Sequence, residues 1–184
     1  STHKLTGSLT QTSMLHCRRG FAGTERIAAA MALVQSTSPN YLFLASLDSA
    51  RQQLACHGRE LVGQALGLAR RLRCALNEID GIYAVGKELL NYAGVSGFDE
   101  TKVSIDFSRL CLTGQEAELL LRRQGIEVEL VSGNRVLALI TLGDRADSVR
   151  SLWEACRRIS LGRPLTDVVS RAEIPLPRPV VAVA

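Results

Sequence analysis

Ser1-Thr2-His3-Lys4 places a hydroxyl, an imidazole and a primary amine within four residues of one another at the start of the chain. An unprotonated lysine amine attacks an aldehyde carbon, so a lysine in this setting can hold a carbonyl cofactor such as pyridoxal phosphate as a Schiff base. Taken alone, the tetrapeptide reads first as a flexible polar terminus. His16 and His57 have no chemical neighbours in the sequence and are read as structural. The five cysteines (Cys17, Cys56, Cys74, Cys111 and Cys156) are odd in number and far apart. With no Cys-x-x-Cys pair and no His at ligand spacing, they are expected to be small core residues in a reducing compartment, not a disulfide framework or metal site.

The residues after Lys4 narrow the chemistry. The run Ser1-Thr2-His3-Lys4-Leu5 continues through Leu9-Thr10-Gln11-Thr12-Ser13-Met14-Leu15-His16, and Ser36-Thr37-Ser38-Pro39-Asn40-Tyr41 follows about twenty residues later, then Ala45-Ser46-Leu47-Asp48. In this order and spacing the segments resemble the cofactor-lysine region of the bacterial ornithine/lysine/arginine decarboxylases, pyridoxal-phosphate enzymes of the aspartate-aminotransferase fold type. The resemblance runs from Ser1 to about Ile159. It implies that Lys4 is the catalytic, Schiff-base residue, that Ser1 and His3 lie against the phosphate of pyridoxal 5'-phosphate, and that Ser36 reaches the phosphate of the neighbouring subunit. It further implies decarboxylation of lysine, ornithine or arginine to an amine, as in polyamine biosynthesis, in a cytoplasmic homodimer or higher oligomer with shared active sites.

In that family the cofactor lysine follows a long domain supplying the ring and phosphate partners. The chain is therefore expected to be a fragment, inactive by itself. The implied fold class is α/β: the helical end of a large domain and its linking helix over 1–98, a small α/β sandwich over 99–162, and a truncated extended tail over 163–184. Other readings are a fold-type-I aminotransferase, a self-cleaved pyruvoyl enzyme opening on Ser1, and an interaction module without catalysis. No Gly-rich phosphate loop, paired-carboxylate motif or Gly-x-Ser-x-Gly elbow supports a hydrolase or an NTPase.

The elements that must position these residues are legible in the periodicity. With 46% apolar residues, the 184-residue chain has material for a core. An alanine-rich helix is expected from Thr24, a possible cap, to Gln35, ending before Pro39. A second helix should start at Pro39 and run to about Cys56, with a break or kink at Gly58. A third reaches about Glu78, burying Leu61, Ala65, Leu68, Leu72, Ala75 and Leu76 with arginines opposite. Gly94-Val95-Ser96-Gly97 reads as a flexible junction. Lys102–Ser108 alternates as a strand, and Thr113 to Glu116 has capping-box spacing at the head of a helix that Gly125 ends. Residues 128–132 and 136–142 pair as a hairpin about Gly133-Asn134. A last helix over 146–160 should bury Val149, Leu152, Trp153, Cys156 and Ile159. One antiparallel sheet covered by two helices is the economical arrangement of these later elements.

Charge adds little. Lys plus Arg at 22 against Asp plus Glu at 18 leaves +4, and Arg70-Arg71-Leu72-Arg73 reads as a solvated helix face. Aromatic residues make up only 4%, which leaves no stacking platform for nucleic acid. No apolar run approaches the roughly 18 residues of a membrane span, so no membrane partner is expected; the partner that the resemblance implies is a small-molecule amino-acid substrate.

Overall fold

A computed structural model describes residues 2–164. The element order is α1 (Thr2–Leu5), α2 (Thr24–Val34), α3 (Tyr41–Asn77), β1 (Tyr83–Ala84), β2 (Lys102–Asp106), α4 (Gly114–Arg122), β3 (Leu130–Ser132), β4 (Arg135–Leu139) and α5 (Ala146–Leu161), with short 3-10 turns over Lys87–Asn91 and Ser108–Leu110. Contacts group the chain into two compact units. One comprises the residues up to Gly63 with Thr141–Gly143, the other Gln64–Ile140 with the chain from Asp144 onward.

The helical expectations hold in outline and change at three points. Thr24 does not cap α2. It is the first helical residue, and its hydroxyl donates back to the Phe21 carbonyl at 2.7 Å while Gly23 occupies the cap. Helix α3 starts two residues after Pro39, because the Asn40 side chain accepts from the amides of Leu42 and Phe43 and so serves as its N-cap. There is no break at Gly58: α3 is one helix of 37 residues. Glycine keeps its backbone N–H, so its cost of about 1 kcal/mol in a helix interior is a propensity loss that long flanking turns override.

In the second unit the α3 positions Ala65, Leu68, Ala69, Leu72 and Leu76 are buried at spacings of three and four. Arg73 shares that face and is 8% exposed, contrary to the solvated face expected for the whole arginine cluster. Its Nε donates to the Val85 carbonyl at 2.8 Å, and Nη2 donates to the carbonyls of Glu100 and Lys102. Its guanidinium also lies 5.1 Å from the Phe98 ring centroid. Burial draws its proton affinity down, and Glu100 and Glu88 partly restore it. A fork of donors on a planar cation suits three carbonyls that diverge at a strand start.

The sheet has the order β1-β2-β4-β3 and is antiparallel throughout. Val103 faces Ala138 and Ile105 faces Val136 across β2 and β4, and all four are buried. Strand β2 stops at Asp106, short of the expected Ser108. The Asp106 carboxylate accepts from the Ser108 amide at 2.8 Å and turns the chain into a 3-10 turn that buries Leu110. The two-residue β1 gave no signal in the sequence. The Asn77 side-chain amide accepts from Ala84 N and donates to Ala84 O, holding β1 in place from the end of α3.

The capping box forms as expected: Thr113 Oγ1 accepts from Glu116 N, and the Glu116 carboxylate accepts from Thr113 N at 2.8 Å. The hairpin turns at Gly133-Asn134 with Ser132 opposite Arg135. Only Gly133 takes a positive φ, at 57°, the pattern of a turn with glycine in its first central position. Helix α4 packs on β3, β4 and α5. Helix α5 buries Val149, Leu152, Ala155, Cys156 and Ile159. Trp153 is half-buried, at the rim, where its indole N–H donates to the Ala75 carbonyl at 3.2 Å. An amphipathic ring with one donor is well served at such an edge.

The cysteines depart most from expectation. Cys156 alone is buried, its thiol pushed up to about 12 by burial, whereas Cys17, Cys56, Cys74 and Cys111 are exposed. Among the described residues no group of His, Cys, Asp and Glu could hold a metal ion, and no helix is long and apolar enough to cross a membrane.

Candidate active site

Lys4 lies in α1, a single helical turn of four residues. So short a helix has little stability of its own, and it is held by bonds at its ends. The Thr6 amide and hydroxyl both donate to the Thr2 carbonyl, at 3.1 and 2.8 Å, and the Leu5 carbonyl accepts from Leu142 N at 3.4 Å. Lys4 is exposed on this turn. The adjacent His3 is partly buried, with Nδ1 3.2 Å from the Thr12 carbonyl. The loop after the turn folds tightly, with positive φ at Gly7 (82°) and at Gln11 (71°), an uncommon angle for a residue with a side chain.

Two buried hydroxyls lie inside this loop. Ser8 and Thr12 are 6% and 3% exposed, and their oxygens are 2.7 Å apart. Thr12 Oγ1 donates to the Leu9 carbonyl at 2.5 Å. The Leu9 amide in turn donates to Ser46 Oγ of α3 at 2.8 Å. The loop carrying Lys4 is thus fastened both to itself and to α3. Ser8 was not quoted in the sequence, and Thr12 and Ser46 appeared only within longer motifs. Polar residues at i and i+4 next to a glycine carry no signal of burial until the chain closes over them.

Of the other sequence candidates, Ser36 lies in the exposed link between α2 and α3. Its hydroxyl accepts from the Ser38 amide at 3.1 Å and donates to the Ser38 carbonyl at 3.4 Å. This local pattern keeps residues 36–38 out of helix. Ser1 and residues 165–184 of the expected tail lie outside the described residues. His3 and Lys4 therefore stand side by side on one turn, with Ser36 in a separate loop of the same unit.

The carboxylates with displaced acidity belong to the second unit. Burial pushes the Asp106 carboxyl up, but hydrogen bonds from Ser108 and Arg135 outweigh it and hold the group below the usual range. Glu88 behaves alike: burial is opposed by hydrogen bonds from Tyr83 OH and Gly86 N. Both are structural anchors, since every cited partner is a strand or turn group of the same unit. A shallow cavity of about 330 Å3 beside Ile126, Leu139, Val149 and Leu152 is lined by none of the candidate site residues.

The sequence model described as "Orn/Lys/Arg decarboxylase, major domain" matches residues 1–148. An arginine decarboxylase of Bacillus subtilis is 41% identical over 179 residues, covering 96% of this chain and 36% of that protein. One from Halalkalibacterium halodurans is 43% identical over 161 residues, covering 87% of this chain and 33% of that protein. Among solved structures, a lysine decarboxylase of Francisella novicida superposes with a TM-score of 0.69 at 22% identity, over 88% of this chain and 27% of that one; this likeness supports the α/β fold. The chain spans about a third of the length of the curated relatives it matches. With its match spanning residues 1–148, as far as the first residues of α5, the chain belongs to the Orn/Lys/Arg decarboxylase family.

Proposed function

We propose that an enzyme of the relatives' full length carrying this chain decarboxylates a basic amino acid with pyridoxal 5'-phosphate, and that Lys4 holds the cofactor. The observation that supports this most directly is Lys4 itself, an exposed amine on a turn whose carbonyls and neighbours are tied down, inside a family match of 148 residues. An exposed amine on a fastened backbone fits an aldehyde cofactor, because the nitrogen can reach the carbonyl carbon while its Cα stays fixed. When bound, the cofactor supplies an electron sink for the pair released as the Cα–carboxylate bond breaks.

In this reading Lys4 Nζ would hold the cofactor, and when not so engaged the same amine could hold or deliver a proton. His3 and Ser1 serve the phosphate, a ring N–H and a hydroxyl being suitable donors to a dianion. Ser36 serves the phosphate bound in a neighbouring subunit. Arginine is the substrate assigned first, because the relatives at 41% and 43% identity carry that name. Ornithine and lysine are the competitors within the family. The exposed thiols and the lack of a membrane-crossing helix among the described residues fit a reducing, aqueous compartment, and the cytoplasm is the location proposed.

The test is made in such a full-length enzyme. Lys4→Ala should abolish carbon dioxide release and the visible cofactor band, whereas Lys87→Ala and Lys102→Ala should leave both intact. Borohydride reduction and peptide mapping should place the label on Lys4. Near-native turnover in Lys4→Ala would end this assignment, and preference for lysine or ornithine over arginine would correct the substrate.

A further inference from the structure

We propose that Thr12 is a positioning residue for Lys4, its carbonyl holding the His3 ring with the proton on Nδ1 and its buried hydroxyl holding the loop that presents that carbonyl. The inference rests on the reading of Lys4 as the cofactor lysine and adds to it a residue eight positions away.

The contacts give a donor and an acceptor at each step from His3 to Thr12 and from Ser8 to Leu9. A carbonyl oxygen can only accept, so at 3.2 Å from the Thr12 carbonyl His3 Nδ1 is the donor and carries the hydrogen. Of the two ring nitrogens, Nε2 is then the one whose protonation distinguishes the neutral ring from the cation. Thr12 Oγ1 gives its single hydrogen to the Leu9 carbonyl. It must therefore accept from Ser8 Oγ, 2.7 Å away. The result is a directed series, Ser8 to Thr12 to Leu9, closed on the outside by the Leu9 amide donating to Ser46 Oγ.

Burial makes this arrangement consequential. Along with Arg73, Ser8 and Thr12 are the buried polar side chains among the described residues. A buried hydroxyl without a partner is costly, so each holds the other in place. A four-residue turn cannot keep Lys4 oriented by its own hydrogen bonds. The tie from His3 to Thr12 spans nine residues and joins the turn to a loop that is itself fastened. Losing the Thr12 hydroxyl frees the loop and lets the His3 ring rotate beside Lys4.

The test uses the full-length, cofactor-free enzyme in wild-type, Thr12→Val, Thr12→Ser and Ser8→Ala forms. Thr12→Val keeps the shape and removes the hydroxyl; Thr12→Ser restores it. Stopped-flow absorbance follows covalent linking to added pyridoxal phosphate, and hydrogen exchange reports protection of the peptide containing the Thr6 amide. Thr12→Val should slow linking by about tenfold, the scale of one lost hydrogen bond, and speed exchange in residues 1–12 before any cofactor is present. Ser8→Ala should lie between it and wild type, and Thr12→Ser should recover most of the rate. Wild-type linking and exchange in both Thr12→Val and Ser8→Ala would overturn the proposal, as would a lowered melting temperature with unchanged linking in the folded protein. If Thr12→Val does not fold, Ser8→Ala decides the matter by the same two readouts. Absence of linking at Lys4 in the wild type would instead defeat the functional reading, so the two failures are distinguishable.

Discussion

Asp106 shows how one side chain couples the sheet to pH. It sits on β2 directly across from Arg135 on β4, whose Nε donates to it at 2.7 Å, and its other oxygen accepts from the Ser108 amide. Against the opposing effect of burial, these hydrogen bonds hold the carboxyl below its ordinary value near 3.8. A carboxyl with a depressed folded-state value contributes stability that is fully present above the unfolded value and is lost as pH falls through the folded one. Asp106→Asn should therefore lower stability at pH 7 by about 1.5–3 kcal/mol, the range for hydrogen bonds to a charged group. The deficit against wild type should shrink as the pH is taken below about 3.8. Urea melts at a series of pH values check this; a deficit that stays constant into acid would show that the carboxylate's charge is not what Arg135 and Ser108 hold.

Among the elements, the head of α4 is the most closely specified. Thr113 and Glu116 satisfy each other's backbone amides, and Gly114 N donates to the Gly133 carbonyl in the hairpin turn at 2.7 Å. A Cβ at Gly114 would lie 2.6 Å from both the Arg135 carbonyl and Val131 Cγ1. Thr113→Ala should cost about 1 kcal/mol, the usual loss for a cap. Gly114→Ala should cost more despite the better helix propensity of alanine, because the opposing atom is backbone and cannot rotate aside. Thermal melts rank the pair, and a stabilised Gly114→Ala would mean that α4 can shift away from the hairpin. The capping box was legible as a spacing of residue types. The close approach was not, since it depends on where a turn 20 residues later comes to lie.

For the molecule as a whole, size and exposed surface matter most. Helix α2 buries no residue, and Leu33, Val34, Tyr41 and Leu42 are each more than 70% exposed. Apolar side chains so placed favour association. The 184-residue chain by itself should give weak, non-specific borohydride labelling with pyridoxal phosphate; stoichiometric labelling confined to Lys4, with amine produced, would show it to be sufficient alone. In the full-length enzyme Ser36→Ala should weaken cofactor binding by about 1.5–3 kcal/mol, as for a hydrogen bond to a charged group. A mixed dimer locates the contact. When a Ser36→Ala subunit is paired with a Lys4→Ala subunit, the single working site should bind the cofactor as wild type does, because the intact serine comes from the other chain. Weakened binding there would place the contact within one subunit.

From sequence alone followed the family, carried by the order of short motifs, and several features with a local cause: the strand alternation opening at Lys102, the Thr113–Glu116 cap, the turn at Gly133 and the apolar stripe of the last helix. Each rests on neighbours within a few residues, where backbone geometry relates side-chain type directly to position. Only the tertiary structure decided which polar groups are buried. Arg73 looked like its neighbours Arg70 and Arg71 until three carbonyls from two later segments met it. Ser8 and Thr12 looked like any loop hydroxyls until the loop closed over them. Gly58 looked like a break until long flanking turns carried the helix through it. Burial is set by contacts between residues far apart in the chain, and no residue's type or spacing records which segment will cover it.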